Sequence, residues 1–179
     1  MLVQLKQKDL DTLTDEALLS ACFNPLIMEY KKRMSKQAGN SSGLKEIFYQ
    51  ELTTGQKALF VFRVYYDHAI ESESEFYWWS SYYLAQTKIW SSIKVGIKHF
   101  EDPSMHLLLE ETEKVLRKNN CPATLDGFSI SREDLERNTE LSTSIKPLYS
   151  RFKQDAPTTI KYICQFIRNN RGDFFALNY

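Results

Sequence analysis

The sequence predicts an all-α fold, an irregular bundle of about seven to nine helices in a single domain over residues 1–179, and three observations carry that prediction. Breakers are scarce: 6 glycines and 5 prolines are too few for a many-stranded β fold, which needs a turn about every 8–12 residues. Capping signals recur, at Thr14, at Thr53-Thr54-Gly55-Gln56 and at Asp102-Pro103. Between them the apolar residues return every three or four positions, the helical period, and do not alternate.

Thr14 followed by Asp15-Glu16 reads as an N-cap with acids in the first turn, and Leu18, Leu19 and Cys22 begin an apolar stripe. Asn24-Pro25 is expected to interrupt it and to open a second helix from Pro25 to about Gln37, with Leu26, Ile27, Tyr30 and Met34 inward. Gly39-Asn40-Ser41-Ser42-Gly43 reads as a loop, and Leu44 to Leu52 as a short amphipathic piece. Thr53 and Gln56 match a capping box, so a central helix starts there with Leu59, Phe62 and Tyr66 in its stripe.

Glu71 to Glu75 breaks that helix, and either serine within it suits an N-cap for the aromatic stretch from Phe76 to Phe100. Gln86-Thr87 marks a bend, after which Trp90, Ile93 and Ile97 share one face. Asp102-Pro103 opens a helix with Met105, Leu108, Leu109, Thr112, Val115 and Leu116 inward. Ala123 to Ile130 reads as irregular, and Ser131 to Asp134 as the cap of a polar helix interrupted by Pro147. A last helix is expected from Pro157, capped by Asp155, to about Asn169.

Lys plus Arg and Asp plus Glu stand at 23 each, so no global field draws the chain to nucleic acid or to an anionic surface. Cys22, Cys121 and Cys164 are too scattered for a zinc knuckle or a redox dithiol, which suits a reducing compartment. No run approaches the ~20 apolar residues of a membrane span, and no apolar leader opens the chain. The expectation is a cytoplasmic protein without a membrane partner, and with neither metal nor cofactor.

The stretch from Leu52 to about Leu116 resembles a family of bacterial helical domains that includes the neisserial DNA-mimic protein. The residues that carry the resemblance are Thr53-Thr54-Gly55-Gln56, the helix through Tyr66, the turn Glu71 to Glu75, and Phe76-Tyr77-Trp78-Trp79. Tyr162 to Asn170 is similar to the closing helix of such domains. The resemblance implies a helical fold. It does not extend to the family's Asn-Gly-Gly-Phe, replaced here by Ser74-Glu75-Phe76, nor to the acidity that would imitate DNA phosphates.

For chemistry, the candidates are few. His68 lies near Glu71, and His99 lies near Glu101, Asp102 and His106, so a small-molecule or metal-dependent enzyme built on His68, His99 or His106 is one reading. No nucleophile elbow, phosphate loop or dinucleotide fingerprint is present, and no catalytic residue is assigned. Cys121, beside Pro122, is the cysteine expected to be accessible.

Lys31, Lys32, Arg33 and Lys36, with Lys161, Arg168 and Arg171, are basic helix ends that would bind nucleic acid only if they converged. Arg171-Gly172-Asp173 matches an integrin-recognition tripeptide by chance. Trp78, Trp79, Tyr82 and Tyr83 are the candidate surface for a protein partner or a second copy, because adjacent aromatics on a helix point roughly 100° apart and cannot all share one face. The leading expectation is therefore a non-catalytic protein-binding or regulatory domain.

Overall fold

The computed structural model describes residues 3–6, 12–35 and 41–178. In chain order its elements are β1 (Val3–Lys6), α1 (Asp15–Ser35), α2 (Ser41–Gln50), α3 (Thr54–Ala69), α4 (Glu73–Leu84), α5 (Thr87–His99), α6 (Pro103–Lys118), α7 (Asp134–Arg137), α8 (Thr139–Asn169), a 3₁₀ turn (Arg171–Asp173) and β2 (Phe175–Asn178). The fold is all-α, with eight helices among the described residues. None of these helices is long and apolar enough to cross a membrane.

Among the described residues, those up to Phe60 and from Ile160 onward form one compact unit, and Val61–Thr159 form a second. In the first, Leu18, Leu19, Cys22, Phe23 and Leu26 of α1 are buried, as are Phe48, Phe60, Ile163 and Ile167. Its rings meet edge to face, Tyr30 with Phe48 at 5.4 Å and Tyr49 with Phe60 at 5.7 Å between centroids. The two strands pair in parallel, Val3 opposite Phe175 and Lys6 opposite Asn178, a small sheet that the helical reading did not foresee.

The second unit holds the helical hairpins. Ser72 caps α4 by accepting from the Glu75 amide at 3.1 Å, and Asp102 caps α6 by accepting from the Met105 amide at 3.0 Å. Asp102 is buried, and its other carboxylate oxygen accepts from the Thr159 hydroxyl at 2.6 Å. Trp90, Ile93 and Ile97 point inward from α5, as the period requires, and α4 and α5 part where Gln86-Thr87 suggested.

Three expectations about breaks are corrected. Pro25 does not start a helix but sits inside α1, and Pro147 and Pro157 both lie inside α8. A proline inside a helix costs about 3 kcal/mol, and continuous burial offsets it: Leu141, Ile145, Leu148, Phe152, Ala156, Thr159, Ile163 and Ile167 form one stripe along α8. Asp155 therefore caps nothing and instead accepts from the Ser104 hydroxyl at 2.8 Å. The loop predicted around Ser41 to Gly43 is the start of α2, whereas Lys36, Gln37, Gly39 and Asn40 lie outside the described residues.

Candidate aromatic surface

Helical spacing builds the site within the second unit. On α4, Trp78 and Tyr82 are four residues apart, as are Glu75 and Trp79, so each pair lies along one side of the helix. Trp78 stacks on Tyr82, centroids 5.0 Å apart and planes 10° off parallel, while Trp79 stands nearly perpendicular to both. Phe76, Ser80 and Leu84 take the opposite side and are buried, and Tyr83, also buried, keeps its ring 5.6 Å from those of both Trp79 and Tyr82. Ser80 is small enough to let α3 approach, and its hydroxyl pairs with that of Tyr65 at 2.8 Å.

The segment after α6 then folds back over α4. Asn120 takes a left-handed conformation with φ 58°, and the Cys121 amide reaches back to the Leu116 carbonyl at 3.0 Å, which turns the chain. At Gly127 φ is 72°, and the Phe128 amide donates to the Leu125 carbonyl at 3.1 Å, closing a tight turn that only glycine adopts without strain. This turn sets Phe128 edge-on to Trp78 and Tyr82, at 6.1 and 5.9 Å.

The indole N–H groups of both tryptophans are used. The Trp78 indole donates to the Ile130 carbonyl at 3.1 Å, and the Trp79 indole donates to Glu75 at 2.9 Å. Arg132 donates to both oxygens of Glu75, and its guanidinium lies 4.5 Å from the centroid of the Trp78 ring. Hydrogen bonding from Arg132, more than the opposing burial, holds the Glu75 carboxyl below its usual range, with smaller help from Trp79 and His68. His68, exposed, stacks flat on Trp79 with centroids 4.0 Å apart.

Trp78, Trp79 and Tyr82 thus stay half-buried with fixed orientations, and Tyr83 is buried. The three histidines are spread over three helices: His68 on α3, His99 at the end of α5, and His106 on α6. His106 lines a shallow groove of about 280 Å³ with Lys98, Glu101, Asp102 and Pro103. No group of three or more His, Cys, Asp or Glu among the described residues is arranged to hold a metal ion.

Burial raises the Cys22 thiol to about 12 and Cys164 to about 11, and it raises Cys121 as well, so none is activated. The arginines of the basic helix ends are engaged by carboxylates and carbonyls. Arg33 binds Glu29 and Glu51, Arg168 binds Asp15 at 2.6 Å, and Arg171 donates to the Arg168 carbonyl.

No protein-family model, no curated protein and no solved structure matches this chain. The function is therefore argued from its geometry. What the sequence did not reveal was the part played by the segment from Cys121 to Glu133, which supplies Phe128, Ile130 and Arg132 to the aromatic layer. The one available signal was Asp126-Gly127, a turn-forming dipeptide beside a phenylalanine.

Proposed function

We propose that this chain is a non-catalytic protein-binding or regulatory domain that acts through the surface of Trp78, Trp79 and Tyr82. The observation that carries the reading is that three large aromatic rings remain partly exposed although their orientations are fixed by Glu75, Ile130, Phe128 and Arg132. Rings held in place before contact lose little side-chain freedom on binding, and Trp, Tyr and Arg are the residues that dominate interface energies. The partner is a protein or a second copy of the chain, and three free cysteines support a reducing, cytoplasmic setting.

Sedimentation of the purified chain over a range of concentrations, repeated for Tyr82→Ala and Trp79→Ala, tests the self-association form of this reading. Association of the wild type that weakens at least about tenfold in folded variants supports it, since a central aromatic anchor is worth about 2 kcal/mol or more. If folded variants associate as the wild type does, the surface is not the interface. If the wild type is a monomer throughout, the same variants are compared for capture of a partner from native extract, where equal capture overturns the reading.

A further inference from the structure

We propose that residues 170–178 form a releasable strap, latched by Asp173 and Phe174 onto the N-terminus of α3, which lifts as one piece while α4, α5 and α6 stay closed. The latch begins with the first turn of α3, whose amides have no partner within the helix. The capping box uses two of the donors there: the Gln56 amide gives to the Thr53 hydroxyl and the Thr53 amide to the Gln56 side chain, both at 3.2 Å. The next donor, the Gly55 amide, goes to the Asp173 carboxylate at 3.3 Å. The Thr53 hydroxyl in turn donates to the Asp173 carbonyl at 2.8 Å.

Gly55 is shaped to this contact. A Cβ at position 55 would stand 2.8 Å from Phe174 Cζ and 2.9 Å from an Asp173 carboxylate oxygen, closer than packed atoms allow. The carboxylate also sits at the positive end of the α3 dipole, so the latch is complementary in charge as well as in shape. Beyond it the Phe174 and Phe175 rings are buried, Phe174 meets Phe166 edge-on at 6.5 Å, and β2 pairs with β1 over four residues.

The ladder that carries β2 has only the two strands β1 and β2. Such a ladder is marginal by itself in water, and local segments can open at free energies below that of global unfolding. When the strap lifts it uncovers the Gly55 amide and the seat of Phe174, a site complementary to a carboxylate followed by an aromatic ring. The strap is the occupant of that site within its own chain. This also places the Arg171-Gly172-Asp173 tripeptide, whose acidic side chain is turned to the chain's own helix.

Native-state amide hydrogen exchange on the full chain tests the device. The amides of Phe174 to Asn178 and of Gly55 are expected to exchange with one common opening constant. That constant should be at least about a hundredfold above the one for Ile93, Ile97 and Leu108, because each 1.4 kcal/mol of local stability is a factor of ten. Gly55→Ala should raise strap exchange at least about tenfold further and leave α5 and α6 unchanged.

Strap amides as protected as those of α5 and α6, or a rise in Gly55→Ala spread evenly over the chain, overturns the proposal. Should Gly55→Ala fail to fold, Asp173→Ala decides. That variant removes the acceptor without inserting atoms, and a rise confined to the strap and Gly55 supports the latch, whereas no rise or a uniform one overturns it.

Discussion

Two aromatic clusters in the same unit are built on opposite terms. Around Tyr65, the rings of Tyr83, Trp90 and Phe152 stand 5.8 to 6.1 Å away, with Phe76 against Phe152 at 5.1 Å, and all five are buried. Around Trp78, the rings of Trp79, Tyr82 and Phe128 are half-buried and are held by an indole-to-carbonyl bond, a carboxylate and a guanidinium. The first cluster draws its stability from removing apolar area from water. The second uses polar contacts to fix rings that burial alone would leave free, the preorganisation that the proposed contact surface calls for.

The sharpest separation of the two comes from truncating one tryptophan in each. Trp90→Ala empties the buried position and removes one donor to Glu113, which keeps Lys94 and Arg117, so the expected loss is about 3–5 kcal/mol in denaturant melts. Trp78→Ala opens a site already in contact with solvent, and its loss should be about 1–3 kcal/mol, with the far-ultraviolet circular dichroism of the wild type retained. Equal losses would mean that the outer layer is core, and the argument for a contact surface would fail with it.

The difference between the clusters also explains what could be read in advance. Thr53 with Gln56, Ser72, and Asp102 with Pro103 act between residues three apart or fewer, and their capping roles are visible in the letters alone. Trp90, Ile93 and Ile97 were legible for the same reason, because their common face follows from the helical period. Pro25, Pro147 and Pro157 were misread as breaks because the burial that outweighs a missing amide is tertiary and leaves no local mark. The staple from Arg132 to Glu75 and the parallel pairing of β1 with β2 join residues 57 and more than 160 positions apart, and no spacing rule reaches that far.

A smaller effect isolates the turn that completes the outer layer. Gly127 has φ 72° with no atom within 4 Å of the place a Cβ would take, so Gly127→Ala meets only backbone strain and no clash. That strain is about 1–2 kcal/mol for an L-residue in the left-handed region. The expected loss in a melt is of that size or smaller, together with a change in Trp78 fluorescence as Phe128 shifts. A loss without any fluorescence change would show that Phe128 does not depend on the turn, and the outer layer would then be less dependent on the loop than the geometry indicates.

The smallest effect concerns charge, and it distinguishes the clusters by pH. Glu75 is held below its ordinary carboxylate value of 4.5, chiefly by hydrogen bonds from Arg132. A carboxyl whose value is lower in the folded chain than in the unfolded one stabilises the fold at all pH above the unfolded value. That contribution is lost as pH falls through the lowered folded value, so the slope lies below about pH 4.5 and not near neutrality. Arg132 is partly exposed, and the pair is therefore worth about 1 kcal/mol or less. Glu75→Gln should keep the neutral-pH stability within that amount and flatten the acid limb, whereas Trp90→Phe, which keeps a large ring in the buried cluster, should leave the contribution of Glu75 to that limb in place. If Glu75→Gln leaves the acid limb as steep as in the wild type, Arg132 does not hold the outer layer through that carboxylate, and the fixing of Trp78 must be assigned to Ile130 and Phe128 alone.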